Sequence, residues 1–161
     1  MSTEPINRSD VELDALYRDT VLDHFRSPRG RKSLDRVDLS RLGHNPVCGD
    51  RLSLSLKFDG DRISDVAVET KGCAISVASG SMLAEMLGGM TKEEARKLAE
   101  TFRAIMHGQP APKDIDLGDL DALEGVRNFP VRVKCALLAW MTLLDALSGN
   151  AEPEGVTITE D

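Results

Sequence analysis

The sequence predicts an α+β domain in which a small antiparallel β-sheet packs against several α-helices. Residues 51–58 alternate between apolar and polar side chains, a turn follows at once, and segments with helical spacing stand on both sides of this hairpin. The chain has 161 residues, of which 41% are hydrophobic and 4% aromatic, enough for one domain with a mainly aliphatic core. We expect a single domain over residues 1–149 and an acidic, disordered tail over residues 150–161.

The first half of the chain contains a helix, a loop and a hairpin. A helix is predicted over residues 10–26, where apolar side chains recur at intervals of three and four. Residues 28–47 are rich in Arg, Gly and Pro and lack a period, which predicts a long exposed loop. The alternating strand over residues 51–58 turns at residues 59–61, and β-branched residues form the antiparallel return strand over residues 63–70.

The second half of the chain is predicted to be helical. Four segments follow the hairpin: a helix rich in small residues (76–87), a capped amphipathic helix (91–107), a loop (108–117) and a short acidic helix (117–123). A last helix over residues 130–149 starts with a proline and is apolar nearly all round. Such a helix is expected to lie at the centre of the domain or under a partner.

The formal charge of −7 is confined to the last third of the chain, since residues 114–161 hold 10 acidic and 3 basic side chains. An acidic chain is a poor candidate for non-specific nucleic-acid binding. It contains no stretch of about 18 apolar residues and starts without the apolar run of a secretory signal, so we expect a cytoplasmic protein with no membrane span. One basic cluster is either a solvated loop or a docking patch for an acidic partner: Arg26, Arg29, Arg31, Lys32, Arg36 and Arg41.

The three cysteines, Cys48, Cys73 and Cys135, are an odd number, which argues against a disulfide framework. Cys48 and Asp50 are even-numbered like the apolar residues of the first strand, so they share its buried face if the strand extends back to Cys48. The antiparallel return brings Cys73 towards this pair, and Cys135 lies early in the last helix. Three thiolates and one carboxylate can form the tetrahedral site that zinc favours, although the spacing alone equally allows three unrelated buried or free cysteines.

The local sequences around the cysteines resemble the U-type iron–sulfur cluster assembly family, which includes IscU, the N-terminal domain of NifU, and SufU. Three motifs occur in order: residues 45–50 (Asn-Pro-Val-Cys-Gly-Asp), residues 71–76 (Lys-Gly-Cys-Ala-Ile-Ser) and residues 132–140 (Arg-Val-Lys-Cys-Ala-Leu-Leu-Ala-Trp). Residues 17–19 and 22–29 also look like the first helix and the following loop of the family. The resemblance covers residues 10–149 and implies an IscU/SufU-like α+β domain that functions in iron–sulfur cluster assembly.

Two departures from the IscU type resemble the SufU branch of the family. Lys134 stands directly before the third cysteine, where IscU-type scaffolds have a histidine. The interval of 61 residues between Cys73 and Cys135 is also longer than in IscU-type chains, and the extra length falls near residues 108–126.

The SufU-like features imply a zinc-dependent sulfurtransferase that accepts persulfide sulfur from a SufS-type, pyridoxal-phosphate-dependent cysteine desulfurase and serves a downstream iron–sulfur scaffold. They imply that Cys48, Asp50, Cys73 and Cys135 bind zinc and that Cys48 is the catalytic residue that takes the sulfur. A coordinated thiolate is shielded, so we hypothesise that the partner supplies a replacement ligand, such as a histidine, which frees Cys48. Arg132 shares the side of Cys135 on the last helix and either guides the persulfide or the partner, or offsets the charge of the metal site.

Two other functions stay open at this point. The same four ligands can hold iron or a [2Fe–2S] cluster, in which case the chain is a scaffold that assembles and transfers the cluster and is not an enzyme. A purely structural zinc site is the third alternative. The resemblance gives no ligand role to His24 or His44, and we expect both at the surface or in a loop.

Overall fold

The computed structural model describes the backbone of residues 8–148 and 156–157 and the side chains of residues 17–148. The elements are α1 (Arg8–Arg26), β1 (Leu39–Asn45), β2 (Asp50–Asp59), β3 (Arg62–Lys71), α2 (Ala74–Leu87), α3 (Lys92–Met106), a 3-10 helix (Gly118–Asn128), α4 (Pro130–Leu147) and β4 (Val156–Thr157). The strand order is β3-β2-β1-β4, with β1, β2 and β3 antiparallel and the two-residue β4 parallel to β1. The predicted α+β class is confirmed.

One face of the sheet is covered by α2 and α4, which pack against β3 and against β1 and β2, respectively. The inward residues of β2, Leu52, Leu54 and Leu56, are buried and alternate with more exposed polar residues. Trp140 in the middle of α4 is fully buried and contacts Phe102 of α3, with 5.7 Å between the ring centroids. The core is therefore built mainly from aliphatic side chains, as the composition predicts.

The helices begin and end close to their predicted limits. The capping box of α3 is present: Thr91 Oγ1 accepts a hydrogen bond from the Glu94 amide at 3.0 Å, and Glu94 Oε1 accepts one from the Thr91 amide at 2.9 Å. The short acidic helix predicted over residues 117–123 is a longer 3-10 helix, which buries Leu120 and Leu123 in the core. No helix among residues 8–148 combines the length and the apolar character that a membrane crossing requires.

The prediction of a loop over residues 28–47 is wrong for its last part, because β1 occupies Leu39–Asn45. The residues that β1 turns inward are Arg41, Gly43 and Asn45, none of which is a large apolar residue. The strand therefore lacks the apolar alternation that identifies β2. It is held in place by pairing with β2 over its whole length.

The basic cluster does not form an open cationic patch. Four of its members bind carboxylates of the same chain, in the pairs Arg29–Asp23, Lys32–Asp65, Arg36–Asp38 and Arg41–Asp145. Arg41 is also buried, whereas Arg26 and Arg31 are exposed. These pairs favour the interpretation as a solvated loop over a docking patch. The disordered tail predicted for residues 150–161 lies outside the described residues, apart from the two that form β4, and stays a prediction.

Candidate metal centre

Four elements meet at one end of the sheet. The turn between β1 and β2 carries Cys48, and Gly49 in this turn has φ of 72°, a conformation that glycine adopts without strain. Asp50 begins β2, so the strand does not extend back to Cys48 as the parity argument assumed. The antiparallel pairing of β2 with β3 brings the end of β3 next to Asp50, and Cys73 follows there as the N-cap residue of α2. Cys135 comes from α4.

The four predicted ligand side chains come together. The Sγ atoms of Cys48 and Cys135 are 3.1 Å apart, and these two atoms and a carboxylate oxygen of Asp50 all lie within 4.8 Å of one another. Cys73 joins the group through Asp50, since its Sγ atom is 3.7 Å from Asp50 Oδ2. Residues separated by as many as 87 positions in the sequence thus form one cluster of donor atoms.

The carboxylate of Asp50 is completely buried and is held at both oxygens. The backbone amide of Cys73 donates a hydrogen bond to Oδ1 at 2.9 Å, and the hydroxyl of Ser76 donates one to Oδ2 at 2.6 Å. Gly72 packs directly against this carboxylate, where the Cβ atom of any other residue would collide with it. Ser76 was not identified from the sequence, although it is the last residue of the second cysteine motif.

The thiol of Cys135 is the most enclosed of the three. Asn45 Nδ2 lies 3.8 Å from its Sγ atom, and the side-chain oxygen of Asn45 accepts a hydrogen bond from the Val47 amide at 3.2 Å. Burial raises the pKa of the Cys135 thiol well above its ordinary value, and the neighbouring Cys48 and Asp50 raise it further. Asn45, a second residue that the sequence analysis missed, thus links the turn that carries Cys48 to the thiol from α4.

The centre opens to solvent on one side. Cys48 and Cys73 are half-buried and line a cavity together with residues 129–132, whereas Cys135 is buried. Arg132 is exposed at this opening, and a hydrogen bond to Cys135 together with the charge of Cys73 raises the pKa of its guanidinium. The structure therefore brings all five predicted site residues to the same place. A molecule entering from solvent can reach Cys48 and Cys73.

The donor set fits a zinc ion. Three sulfurs and a carboxylate are a set that zinc accepts in four-coordinate, tetrahedral sites. Deprotonation of several neighbouring thiols away from water is unfavourable, because the thiolates repel one another and lose their hydration. A divalent cation among them offsets this free energy. The four side chains are therefore of the right kind to share one divalent ion.

A second group of ligand-type side chains lies on the opposite flank of α2 and includes His24, Glu85 and Asp119. The prediction that His24 lies at the surface or in a loop is wrong, because it is fully buried near the end of α1. Its Nδ1 atom is 2.6 Å from Ser81 Oγ, and its Nε2 atom is 2.7 Å from Asp119 Oδ2. Both ring nitrogens are thus satisfied, and His24 fastens α1 to the segment between α3 and α4.

Comparison with known proteins identifies the family of this chain. The model of the NifU-like N-terminal domain matches residues 16–136, which include all four clustered residues and Arg132. The chain belongs to this family. The zinc-dependent sulfurtransferase SufU of Bacillus subtilis is 41% identical over 149 residues, which cover 91% of this chain and 97% of that protein.

Two further relatives bear the name of scaffold proteins. The iron–sulfur cluster assembly scaffold protein IscU of Streptococcus pyogenes is 42% identical over 146 residues, 91% of either chain. The crystal structure of a SufU protein from Fervidobacterium islandicum, named for scaffold function in the SUF system, superposes with a TM-score of 0.76. It is 36% identical and the match covers 80% of this chain and 94% of that one. The relatives thus differ in named role, since one is named a zinc-dependent sulfurtransferase and two are named iron–sulfur cluster assembly scaffolds.

Proposed function

We propose that this protein is a zinc-dependent sulfurtransferase of iron–sulfur cluster assembly, which accepts sulfur from a SufS-type cysteine desulfurase. The observation that carries the proposal is the position of Cys48, a half-buried thiol that lines an open cavity. Its Sγ atom is 3.1 Å from that of Cys135, and both lie close to Asp50, which Cys73 also contacts. The similarity to SufU of Bacillus subtilis over nearly its whole length supports the same function.

The proposed zinc ligands are Cys48, Asp50, Cys73 and Cys135. When bound there, zinc supplies a redox-inert positive charge that keeps thiolates deprotonated and prevents them from pairing or oxidising. Asp50 is the harder ligand of the four and the more easily exchanged. The chain itself holds the carboxylate in place through the Cys73 amide and the Ser76 hydroxyl.

Cys48 is the proposed sulfur acceptor. Its thiolate attacks the outer sulfur of a persulfide on the desulfurase cysteine, a new S–S bond forms on Cys48, and the desulfurase cysteine leaves as a thiolate. The outer sulfur keeps its charge or proton, so the step needs no external oxidant or reductant. Arg132, exposed beside this opening, offers a positive charge to the incoming persulfide.

The test is a desulfurase assay run with and without this protein, together with its zinc content. We expect faster alanine release from cysteine when the protein is present and one zinc ion per chain. Cys48→Ala should abolish the stimulation and accept no labelled sulfur. The matched control is Cys73→Ala, which also removes a ligand but keeps the acceptor, so Cys48 should still take label in a single turnover. Full labelling of Cys48→Ala would reject this mechanism.

The second candidate function is a scaffold for a [2Fe–2S] cluster, favoured by the 42% identity to the scaffold protein IscU of Streptococcus pyogenes. The same four side chains would then hold the cluster. Protein purified without oxygen separates the two functions, because the scaffold would carry a coloured, labile cluster and the sulfurtransferase a colourless zinc ion. A protein that carries the cluster and leaves desulfurase turnover unchanged would favour the scaffold.

A further inference from the structure

Ser76 contacts three of the four residues that form the centre, through two of their side chains and one backbone carbonyl. It lies in the first turn of α2 and is almost completely buried. Its Oγ atom is 2.6 Å from Asp50 Oδ2, 3.2 Å from the carbonyl oxygen of Cys135 and 3.6 Å from Cys73 Sγ. Ser76 therefore touches β2, the start of α2 and α4 at the point where these elements meet.

The single proton of the Ser76 hydroxyl serves one acceptor at a time. The shorter distance assigns it to Asp50 Oδ2, and the Cys73 amide already donates to Oδ1. A carboxylate with a donor on each oxygen cannot rotate about its Cβ–Cγ bond without breaking both hydrogen bonds. The orientation of Asp50 is thus set by the protein before any ion arrives.

We propose that Ser76 is a positioning residue, which orients the carboxylate of Asp50 towards the three sulfurs; this inference rests on the proposed metal centre. Side chains that hydrogen-bond a metal ligand fix its orientation, and their loss typically lowers metal affinity by about 10- to 100-fold. Because the side chains of Ser76 and Asp50 are themselves buried, solvent does not replace the lost hydrogen bond. Removal of the Ser76 hydroxyl should therefore lower the metal affinity, because Asp50 is no longer held in its orientation.

The carbonyl oxygen of Cys135 gives the Ser76 hydroxyl a second acceptor. When Asp50 is absent or displaced, the proton turns to this carbonyl, and Ser76 is not left unsatisfied. An Asp50→Ala variant should therefore keep its fold, which makes the pair suitable for a double-mutant analysis.

The experiment is an anaerobic titration of the full chain with cobalt(II), followed by competition with a chelator of known affinity. We expect Ser76→Ala to lower cobalt affinity by about 10- to 100-fold and to shift the ligand-field bands towards those of Asp50→Ala. The sulfur-to-metal charge-transfer bands should stay, because the three thiolates are untouched. In the Asp50→Ala background, Ser76→Ala should cause no further loss, because the two residues act as one unit.

Ser79 provides the matched control. It lies one turn further along α2, is also buried, donates to the Ala136 carbonyl oxygen at 2.6 Å and accepts from Trp140 Nε1 at 3.1 Å, but makes no contact with a ligand side chain. Ser79→Ala should lower the melting temperature and leave the cobalt affinity and bands unchanged. Ser76→Thr keeps the hydroxyl and should restore the affinity.

Three results would overturn the proposal. Ser76→Ala could bind cobalt with the affinity and spectrum of the unmodified protein. The losses of Ser76→Ala and Asp50→Ala could add in the double variant, or a folded Ser76→Thr could lose as much affinity as Ser76→Ala. These readouts concern metal binding alone, so a protein that fails to stimulate a desulfurase but shows the coupled loss would reject the proposed function and keep this inference.

Discussion

Two groups of ligand-type side chains lie on either side of α2, and their surroundings differ. One contains Cys48, Asp50 and Cys135 and the other His24, Glu85 and Asp119. In the histidine group each ring nitrogen has a hydrogen-bond partner, and the Arg29 guanidinium binds Glu85. In the cysteine group, acidic side chains crowd one another and burial raises the pKa of a thiol. Closeness of ligand atoms alone therefore does not identify a metal centre. The two groups are distinguished by whether those atoms already have hydrogen-bond or ion-pair partners within the protein.

The largest effect should come from removing a ligand of the cysteine group. The binding free energy of zinc in thiolate sites is about 10–16 kcal/mol, so each of four ligands accounts for roughly 3 kcal/mol. Removal of one ligand should therefore lower the zinc affinity by more than about 100-fold. Cys135→Ala should therefore lose its zinc during chelator competition, measured by metal analysis after gel filtration. His24→Ala should keep one zinc ion per chain. Loss of zinc from His24→Ala at the same chelator concentration would contradict the contrast between the groups.

The next effect is structural and concerns the histidine group. His24→Ala removes a fully buried ring together with its hydrogen bonds to Ser81 and Asp119, so we expect a loss of about 2–4 kcal/mol in the free energy of unfolding. Urea unfolding of zinc-loaded protein measures it. Asp119→Ala should cost less, since that carboxylate is 44% exposed. An His24→Ala variant as stable as the unmodified protein would show that the hydrogen bonds of His24 do not fasten α1.

A pH dependence should distinguish the metal-free cysteine group. The raised pKa of Cys135 means that above its ordinary value of 9.0 the unfolded chain releases a proton that the native state retains. The free energy of unfolding should then fall as the pH rises beyond about 9, by at most about 1.4 kcal/mol per pH unit. Denaturant midpoints between pH 7 and 10 measure this slope. Metal-free Cys135→Ala should have a shallower slope, and an equal slope in both proteins would exclude Cys135 as its source.

The smallest effect on stability should come from Arg132. Its side chain is exposed, so Arg132→Ala should change the free energy of unfolding by less than about 0.5 kcal/mol and keep its zinc. If its charge guides the persulfide, the rate of sulfur acceptance should fall several-fold and depend less on salt. Arg132→Lys, which keeps the charge, serves as the control. An unchanged rate in Arg132→Ala would assign the residue to charge compensation at the metal.

The sequence was sufficient to predict the hairpin, the helices and the grouping of the four proposed ligand side chains, for identifiable reasons. Apolar alternation in β2 and helical spacing in the helices follow directly from which side chains are buried. Antiparallel pairing then brings Cys73 back to Asp50, a consequence of hairpin geometry. Asp50 lies on the buried face, as its even number in the alternating strand predicts, but Cys48 lies in the turn before the strand.

The residues that could not be identified from the sequence make contacts with distant parts of the chain, and such contacts leave no periodic pattern in the sequence. β1 was not predicted, because its inward residues are Arg41, Gly43 and Asn45 and therefore show no apolar alternation. Arg41 is buried because it binds Asp145, which lies 104 positions away. Ser76 and Asn45 look like ordinary polar residues of a helix start and a turn, and their contacts with the ligands depend on packing between distant elements. The burial of His24 depends likewise on Asp119, far along the chain.

The order in which the four proposed metal ligands leave the ribosome follows from their distribution along the chain. Cys48, Asp50 and Cys73 emerge early, and 61 residues are synthesised before Cys135 appears. During that interval the nascent hairpin presents two thiols that α4 cannot yet shelter. The proposed metal centre is therefore completed only when α4 docks, late in the synthesis of the chain.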